Sequence, residues 1–292
     1  RPESISTVER PWLELVPGDL TREIPPALFG HDPAVLIHLA TKGIDHDGSG
    51  FEATNVEGTR RLIEAASRSV RVTLYTSSIS VYGQGPQRGE SEDALPLAPT
   101  AELAETRAAA EGILCAAMQA LGGSAICTRP RYILGQGDRH TLPGLTTLTR
   151  KGLGLGSGDQ RFSVIDVDDY AQILLRVAER QLGGAEPFRG GLHVGYRRGL
   201  SLDEIQGAIA AAHGPLPATR KIKAPQLLTD LLGAFPSRTT RRMATIYELF
   251  GRDHYVSVER LASWLGEELV ERDPREVLAA ALAWQLENPP AS

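Results

Sequence analysis

Few side chains in this sequence stand at spacings that do chemistry unaided. The two cysteines, Cys115 and Cys127, form no C-x-x-C pair and are too few for a metal cluster; they read as buried free thiols, and no metal site is expected. The run Gly152-Leu153-Gly154-Leu155-Gly156-Ser157-Gly158 has the composition of a phosphate-cradling loop. Such a loop works by presenting backbone N–H groups at a helix N-terminus. Here an extended segment from Phe162 follows instead of a helix, so the run reads as a decoy. His38 closes an apolar run and reads as a packed core histidine. Glu105 and Asp166 read as a helix-surface and a loop carboxylate. Arg220-Lys221-Ile222-Lys223 and the basic stretch from Arg238 to Arg242 read as solvated faces.

The elements that must position any site alternate between strand and helix patterns. Leu13 to Val16 predicts a short strand closed by Pro17-Gly18-Asp19. Ala34 to Ala40 is continuous and apolar, as a strand covered on both faces should be. Asn55 to Arg68 predicts a helix with Leu62, Ile63, Ala65 and Ala66 on its apolar face, and Val70 to Tyr75 the next strand. Ala101 to Leu121 reads as a long Ala-rich helix stopped by Gly122-Gly123. Ser124 to Arg129 predicts another strand, Phe162 to Val167 a short extended segment, Asp168 to Glu179 a helix, and Leu192 to Val194 a last short strand. Leu134 to Gly158 leaves the sheet and returns to it. Beyond about Gly199 the pattern turns mainly helical, starting with an amphipathic helix over Leu202 to His213. Trp264 and Trp284 fall on apolar faces there as packing residues. Strand-helix alternation of this kind predicts an α/β protein with a parallel sheet.

The chain has 292 residues, of which 41% are hydrophobic and 23% charged, which suits a cored globular protein of about two domains. A net charge of -5 and a pI near 5.9 argue against a nucleic-acid or anionic-membrane surface, either of which needs a basic excess. No apolar run of ~18 residues occurs, and the polar start Arg1-Pro2-Glu3-Ser4 has no signal-peptide pattern. With two free thiols, this composition predicts a cytoplasmic protein.

Six segments occur in one order. They are Gly18-Asp19-Leu20; Ile37-His38-Leu39-Ala40-Thr41; Asn55-Val56-Glu57-Gly58-Thr59; Thr76-Ser77-Ser78-Ile79-Ser80-Val81-Tyr82-Gly83; Arg129-Pro130 followed by Gly135-Gln136-Gly137; and Asp166-Val167-Asp168-Asp169-Tyr170-Ala171. On these residues the chain resembles the extended short-chain dehydrogenase/reductases, the NAD-dependent epimerase/dehydratase group. The resemblance implies a Rossmann-type, doubly wound parallel sheet with a smaller, mainly helical C-terminal substrate lobe. Residues 1–135 and 162–198 would form the dinucleotide-binding domain, and 136–161 with 199–292 the substrate lobe. It also implies NAD or NADP, with the choice open, a small-molecule substrate, and a homodimer through a two-helix face. Asp19 and Leu20 would meet the adenine ring. Leu39, Ala40 and Thr41 would line the cofactor ribose and phosphates, with Asn55, Thr76 and Ser77 also on the cofactor side. Pro130 would stand at the nicotinamide end. Ser78 would be the catalytic serine, donating its hydroxyl to a substrate carbonyl or alkoxide. For Asn55 a helix N-cap is the competing reading.

Two departures from the family pattern bear on function. Dinucleotide pyrophosphate is held in that family by a glycine-rich turn between the first strand and first helix. No such turn precedes Leu13, and a strand-helix-strand unit needs ~30 residues. The expectation is that the natural protein carries this first unit outside the present chain. The second departure is chemical. The family's catalytic pair is a Tyr with a Lys four residues later, which share one helix face. Anchored on Ser78 and Glu111, those positions are Leu103 and Arg107. Leu103 cannot move a proton, whereas Arg107 could still hold a ribose hydroxyl as an always-charged donor. Tyr82, Tyr132 and His38 are the candidate stand-ins for the missing acid, with a structural tyrosine and a core histidine as the competing readings of Tyr82 and His38. The expectation is therefore an NAD(P)-binding reductase, epimerase or dehydratase on a small hydroxyl- or carbonyl-bearing metabolite, with altered acid/base residues and room for non-redox chemistry. The alternative is a catalytically inactive dinucleotide sensor, regulator or scaffold with the same fold.

Overall fold

The computed structural model describes residues 13–30, 34–45, 48–66, 70–225, 228, 231 and 237–289. In chain order its elements are β1 (Val35–His38), α1 (Glu52–Asn55), α2 (Glu57–Ala65), β2 (Val72–Thr76), β3 (Gln87–Arg88), α3 (Glu102–Leu121), β4 (Ser124–Pro130), β5 (Tyr132–Leu134), α4 (Thr141–Arg150), β6 (Leu153–Leu155) and β7 (Arg161–Phe162). There follow β8 (Val164–Asp166), α5 (Val167–Leu182), β9 (Arg189–Val194), β10 (Leu200–Ser201), α6 (Leu202–His213), β11 (Arg220–Ile222), α7 (Arg238–Phe250), β12 (His254–Tyr255), α8 (Glu259–Leu265) and α9 (Pro274–Glu287). The chain divides into two compact units, one of residues 1–77, 99–127 and 178–190, the other of 78–98, 128–177 and 191–292.

In the first unit β1 and β2 pair in parallel, from Val35 opposite Val72 to His38 opposite Tyr75. They belong to a sheet of order β1-β2-β4-β9. Helices α2 and α3 bury their apolar faces against this sheet. Ile63 of α2 and Ala110, Leu114 and Met118 of α3 meet Tyr75, Ala125 and Cys127 of the strands. Helix α3 starts in Ala-rich sequence of high helix propensity and stops at Gly122, whose φ of 69° is the left-handed C-cap that glycine adopts without strain. The next glycine is needed for space: a Cβ on Gly123 would lie 2.5 Å from the Arg71 carbonyl oxygen. This alternation of parallel strand and covering helix is the expected Rossmann-type α/β arrangement.

Four expectations need correction. Leu13 to Val16 is irregular, not a strand, and Leu13 and Leu15 are exposed. A strand is defined by its ladder partner, and this segment has none among the described residues. β1 is not covered on both faces: Ile37 is 38% and Leu39 is 55% exposed. Among the described residues β1 is an outer strand of its sheet, paired only with β2. The helix expected from Asn55 begins at Glu52, breaks at Val56 and ends at Ala65, with Ala66 extended; Arg68 lies outside the described residues. Finally, Cys127 is buried but Cys115 is only half-buried, and neither forms a disulfide.

The second unit holds a four-stranded sheet of order β10-β7-β12-β3 and two parallel pairs, β11 with β6 and β5 with β8. The glycine run is strand β6 followed by a turn through Gly156 and Gly158, both at positive φ. Phe162 to Val167 splits into β7 and β8, which join different sheets. Helix α6 has the expected bounds because Ser201 and Glu204 form a capping box: the Ser201 hydroxyl accepts from the Glu204 N–H, and the Glu204 carboxylate accepts from the Ser201 N–H. Trp264 and Trp284 are half-buried. Arg220–Ile222 is an exposed strand, as a solvated face should be; the side chains of Arg238, Arg241 and Arg242 lie outside the described residues.

Candidate active site

In the first unit, parallel pairing brings the carboxyl ends of β1 and β2 side by side, with His38 opposite Tyr75. The segments that leave those ends are Leu39-Ala40-Thr41 and Ser77, and ligands of open α/β sheets bind outside strand carboxyl ends. Leu39 and Ala40 are exposed and Thr41 half-buried. Ser77 is 2% exposed, and its hydroxyl finds no hydrogen-bond partner among the described residues. Thr76 is half-buried at the end of β2.

Asn55 is not a helix N-cap; Phe51 holds that position. Its buried amide instead clamps the segment after Thr41. The Asn55 Oδ1 accepts from the Lys42 N–H at 2.7 Å, and its Nδ2 donates to the Lys42 carbonyl at 3.1 Å and to the Thr106 hydroxyl at 3.2 Å. One side chain thereby ties the loop beyond β1 to α1 and α3. Asp19 folds over its own turn, accepting from the Thr21 N–H at 2.9 Å and hydroxyl at 2.8 Å. Those bonds, with Arg22 nearby, hold its carboxyl below the usual range. Leu20 is anchored by Arg61, which donates to its carbonyl at 2.7 Å. It also packs where Gly58 leaves room, since a Cβ on Gly58 would stand 2.9 Å from the Leu20 Cβ. The glycine of Asn55-Val56-Glu57-Gly58-Thr59 is thus a close-approach residue.

His38 is the packed residue its sequence position suggested. It is 2% exposed, and burial pushes its pKa down to about 4. The Thr59 hydroxyl gives its proton to the Asn55 carbonyl at 2.7 Å, so it must accept from the His38 Nε2–H at 2.8 Å, which fixes the neutral tautomer. Leu103 and Arg107 are both half-buried on α3, one helical turn apart. Tyr75, unremarked in the sequence, lies under the field of Arg107. Burial raises its phenol well above the usual range, and the Arg107 charge opposes this only in part. A fully buried, high-pKa phenol in the core of the unit is packing rather than a proton source.

In the second unit, Ser78 caps a short 3-10 turn over Ile79–Tyr82, its Oγ accepting from the Ser80 N–H at 3.2 Å. Accepting there leaves the Ser78 O–H proton free to be donated. At the far end of the turn, the Tyr82 hydroxyl lies 2.6 Å from His193 Nε2 and accepts from Arg129 Nη1 at 2.7 Å. The Tyr132 hydroxyl is spent on the Leu249 carbonyl at 2.7 Å, its ring is stacked on Phe250, and burial raises its pKa despite Arg131. Pro130 ends β4 and is buried. Asp166 caps α5 by accepting from the Asp168 N–H at 2.9 Å, while Glu105 is exposed on α3. The buried partners of Tyr82 were missed by sequence reading. A His inside the apolar strand Leu192-His193-Val194 was the only local sign of them. No metal-ligating group of three or more gathers among the described residues, and none of their helices is long and apolar enough to cross a membrane.

The model of the NAD dependent epimerase/dehydratase family matches residues 2–188. The decarboxylating sterol-4-alpha-carboxylate 3-dehydrogenase of Candida albicans is 28% identical over 193 residues, covering 62% of this chain and 55% of that enzyme. The chain spans about half the length of the curated relatives it matches. Solved structures that share its fold include the following two. UDP-glucuronic acid 4-epimerase from Bacillus cereus in complex with NAD superposes with a TM-score of 0.70 at 14% identity, covering 92% of this chain and 79% of that one. RMD from Pseudomonas aeruginosa complexed with NADPH gives 0.67 at 20% identity, covering 97% and 94%.

Proposed function

The chain belongs to the NAD dependent epimerase/dehydratase family, and on that premise we propose that it is an NAD(P)-dependent enzyme of the extended short-chain dehydrogenase/reductase type, acting on a hydroxyl- or carbonyl-bearing small molecule. The observation that carries this reading is the pair of parallel strand ends in the first unit, where Leu39 and Ala40 are exposed, Thr41 is half-buried and the Ser77 hydroxyl has no hydrogen-bond partner among the described residues. These residues fit a dinucleotide: an apolar pair for a ring or ribose face, and a buried hydroxyl lacking a partner. Asp19 and Leu20 are assigned to the adenine end, Thr41, Asn55, Thr76 and Ser77 to the ribose-phosphate side, Arg107 to a ribose hydroxyl, and Pro130 to the nicotinamide end. When bound, the nicotinamide supplies or takes a hydride.

Among the chain's own groups, Ser78 is assigned the hydrogen bond to the reacting oxygen, because its oxygen accepts from the Ser80 N–H and that bond does not consume its own proton. Two competing candidates have partners already: the Tyr132 hydroxyl donates to the Leu249 carbonyl, and His38 Nε2 to the Thr59 hydroxyl. Leu103 contributes no proton, so the reading includes altered acid/base chemistry and admits a non-redox reaction. Sterol acids, the class named for the Candida relative, and UDP-sugars, the class named for the Bacillus neighbour, are the two panels to try first. The protein is read as cytoplasmic, with a homodimer formed through α3 as a further part of the proposal. Residues 1–135 with 162–198 serve the cofactor, and 136–161 with 199–292 the substrate.

Calorimetric titration of NADH and NADPH into the full natural protein, its N-terminus confirmed by intact mass, is the first test. Micromolar binding supports the reading, and no heat with either nucleotide removes it. Ser78→Ala should then lower turnover about 10²-fold, as loss of a well-placed hydrogen-bond donor does elsewhere. A second reading, a dinucleotide-sensing or scaffold protein without turnover, draws on Leu103 alone. Installing Leu103→Tyr with Arg107→Lys separates the two. Redox activity gained in that double variant means that substrate and cofactor are still placed for reaction; continued silence with intact nucleotide binding favours the sensor.

A further inference from the structure

Around Tyr82 the second unit buries more hydrogen-bonding machinery than a packing tyrosine requires. His193 is completely buried, Arg129 is 6% and Glu92 is 8% exposed. His193 is oriented from two sides: its backbone N–H donates to Glu92 Oε1 at 2.8 Å, and its ring Nδ1 lies 3.0 Å from the Ser257 carbonyl. A carbonyl only accepts, so the ring proton is on Nδ1. Burial, with the Arg129 and Arg260 charges nearby, pushes the His193 pKa down to about 4, so the ring is neutral near pH 7 and Nε2 carries a bare lone pair. The Tyr82 hydroxyl must therefore donate to His193 Nε2, at 2.6 Å. Its oxygen accepts from Arg129 Nη1 at 2.7 Å, and the Arg129 guanidinium lies 5.0 Å from the Tyr82 ring centre. Donor and acceptor directions of this phenol are both set, and its proton is committed inward.

The same tyrosine is the last residue of the 3-10 turn that Ser78 caps. The turn is pinned along its length. Ile79 and Val81 are fully buried, Ile79 packs with Tyr82 and Val256, and the Val81 carbonyl accepts from the Ala98 N–H at 3.0 Å. Gly83 closes it at φ 91°, where a Cβ would lie 2.2 Å from the Ala98 carbonyl oxygen. Arg129 has a glycine reserved for it, since a Cβ on Gly191 would stand 2.2 Å from its Cζ. A four-residue turn offers little slack between its ends. We propose that His193 and Arg129 are positioning residues that act through the Tyr82 hydroxyl to set the direction of the Ser78 hydroxyl. Tyr82 is then the link in this chain rather than the replacement acid. The inference rests on the reading of Ser78 as the substrate-facing group.

Two measurements test it. The first needs no substrate: ¹⁵N NMR of the imidazoles in the full chain near pH 7. The expected pattern for His193 is a protonated Nδ1 and a bare, hydrogen-bonded Nε2, with the Nε2 signal shifting when Tyr82→Phe removes the donor. A protonated Nε2, a doubly protonated ring, or no response to Tyr82→Phe overturns the proposal. The second is kinetic, on whichever sterol acid or UDP-sugar is turned over. Tyr82→Phe should cut kcat about tenfold or more with KM within about twofold, because misplacing a reacting group costs rate before binding. His193→Leu should do the same, and His193→Gln, whose amide oxygen can accept in place of Nε2, should recover part of the loss. Adding Tyr82→Phe to Ser78→Ala should cost nothing further. Additive losses, or a fall in kcat matched by KM and thermal stability, would mean that Tyr82 only supports the fold. If Ser78→Ala is damaging but Tyr82→Phe is not, this inference alone fails. If Ser78→Ala is harmless, the reading of Ser78 fails and takes the inference with it.

Discussion

Asn55 shows what a single side chain does here. Its amide satisfies both backbone groups of Lys42 and reaches Thr106 on α3, and its own burial is complete. Removing it strands two partly buried backbone groups, each costing about 1–3 kcal/mol. Asn55→Ala should therefore lower unfolding free energy by roughly 2–4 kcal/mol in urea titrations, while Asn55→Asp, which keeps the acceptor but loses the donors, should fall between. A loss within experimental error for Asn55→Ala would mean that the loop after β1 does not depend on this clamp. The residue type was legible as a site candidate from its motif, but its partners were not. Lys42 and Thr106 lie 13 and 51 residues away in sequence, and no local pattern encodes such pairings. The same holds for Tyr82, whose partner His193 is 111 residues distant.

At the scale of elements, the two glycines that end α3 should respond differently to the same change. Gly122 is in the left-handed C-cap conformation with open space around its missing Cβ, so Gly122→Ala should cost only about 1 kcal/mol of backbone strain. Gly123→Ala drives a Cβ against the Arg71 carbonyl, which belongs to the backbone and cannot rotate away. Its loss should exceed that of Gly122→Ala by a clear margin in thermal or urea melts, and equal losses would refute the close-approach argument. At the start of α6, Ser201→Ala should cost about 1 kcal/mol by opening the capping box. Helices α3 and α6 were legible because caps and a 3.6-residue apolar period are local signals. The Leu13–Val16 strand was misread because an apolar alternation states a preference for extension and does not supply a partner to pair with.

For the whole molecule, buried histidines set how stability depends on acid. His38 in the first unit and His193 in the second both have pKa values near about 4, lowered chiefly by burial, and burial also lowers that of His254. In the unfolded chain each titrates near about 6.5. Below that pH the unfolded chain binds protons that the folded protein refuses, so stability is complete above about pH 6.5 and drains away toward pH 4. The slope is roughly 1.4 kcal/mol per pH unit for each such histidine. Urea titrations from pH 8 to pH 4 should show a plateau and then this decline, shallower in a His38→Asn variant. Stability that rises on acidification would contradict the neutral assignment.

The sequence by itself determined the α/β class, the family, the approximate bounds of β1, β2, α3, β4, α5 and α6, and the candidacy of Ser78, Asn55 and the Leu39–Thr41 segment. Each of these rests on local periodicity, capping chemistry or residues close together in the chain. Tertiary structure alone decided that β1 is an outer strand among the described residues, that Asn55 is a loop clamp and not a cap, and that the Tyr132 hydroxyl is already in use. It also decided that the Tyr82 proton points to a buried histidine. Those facts are set by which distant groups are brought within about 3 Å of one another, and by the burial that fixes their protonation. No window of neighbouring residues contains either.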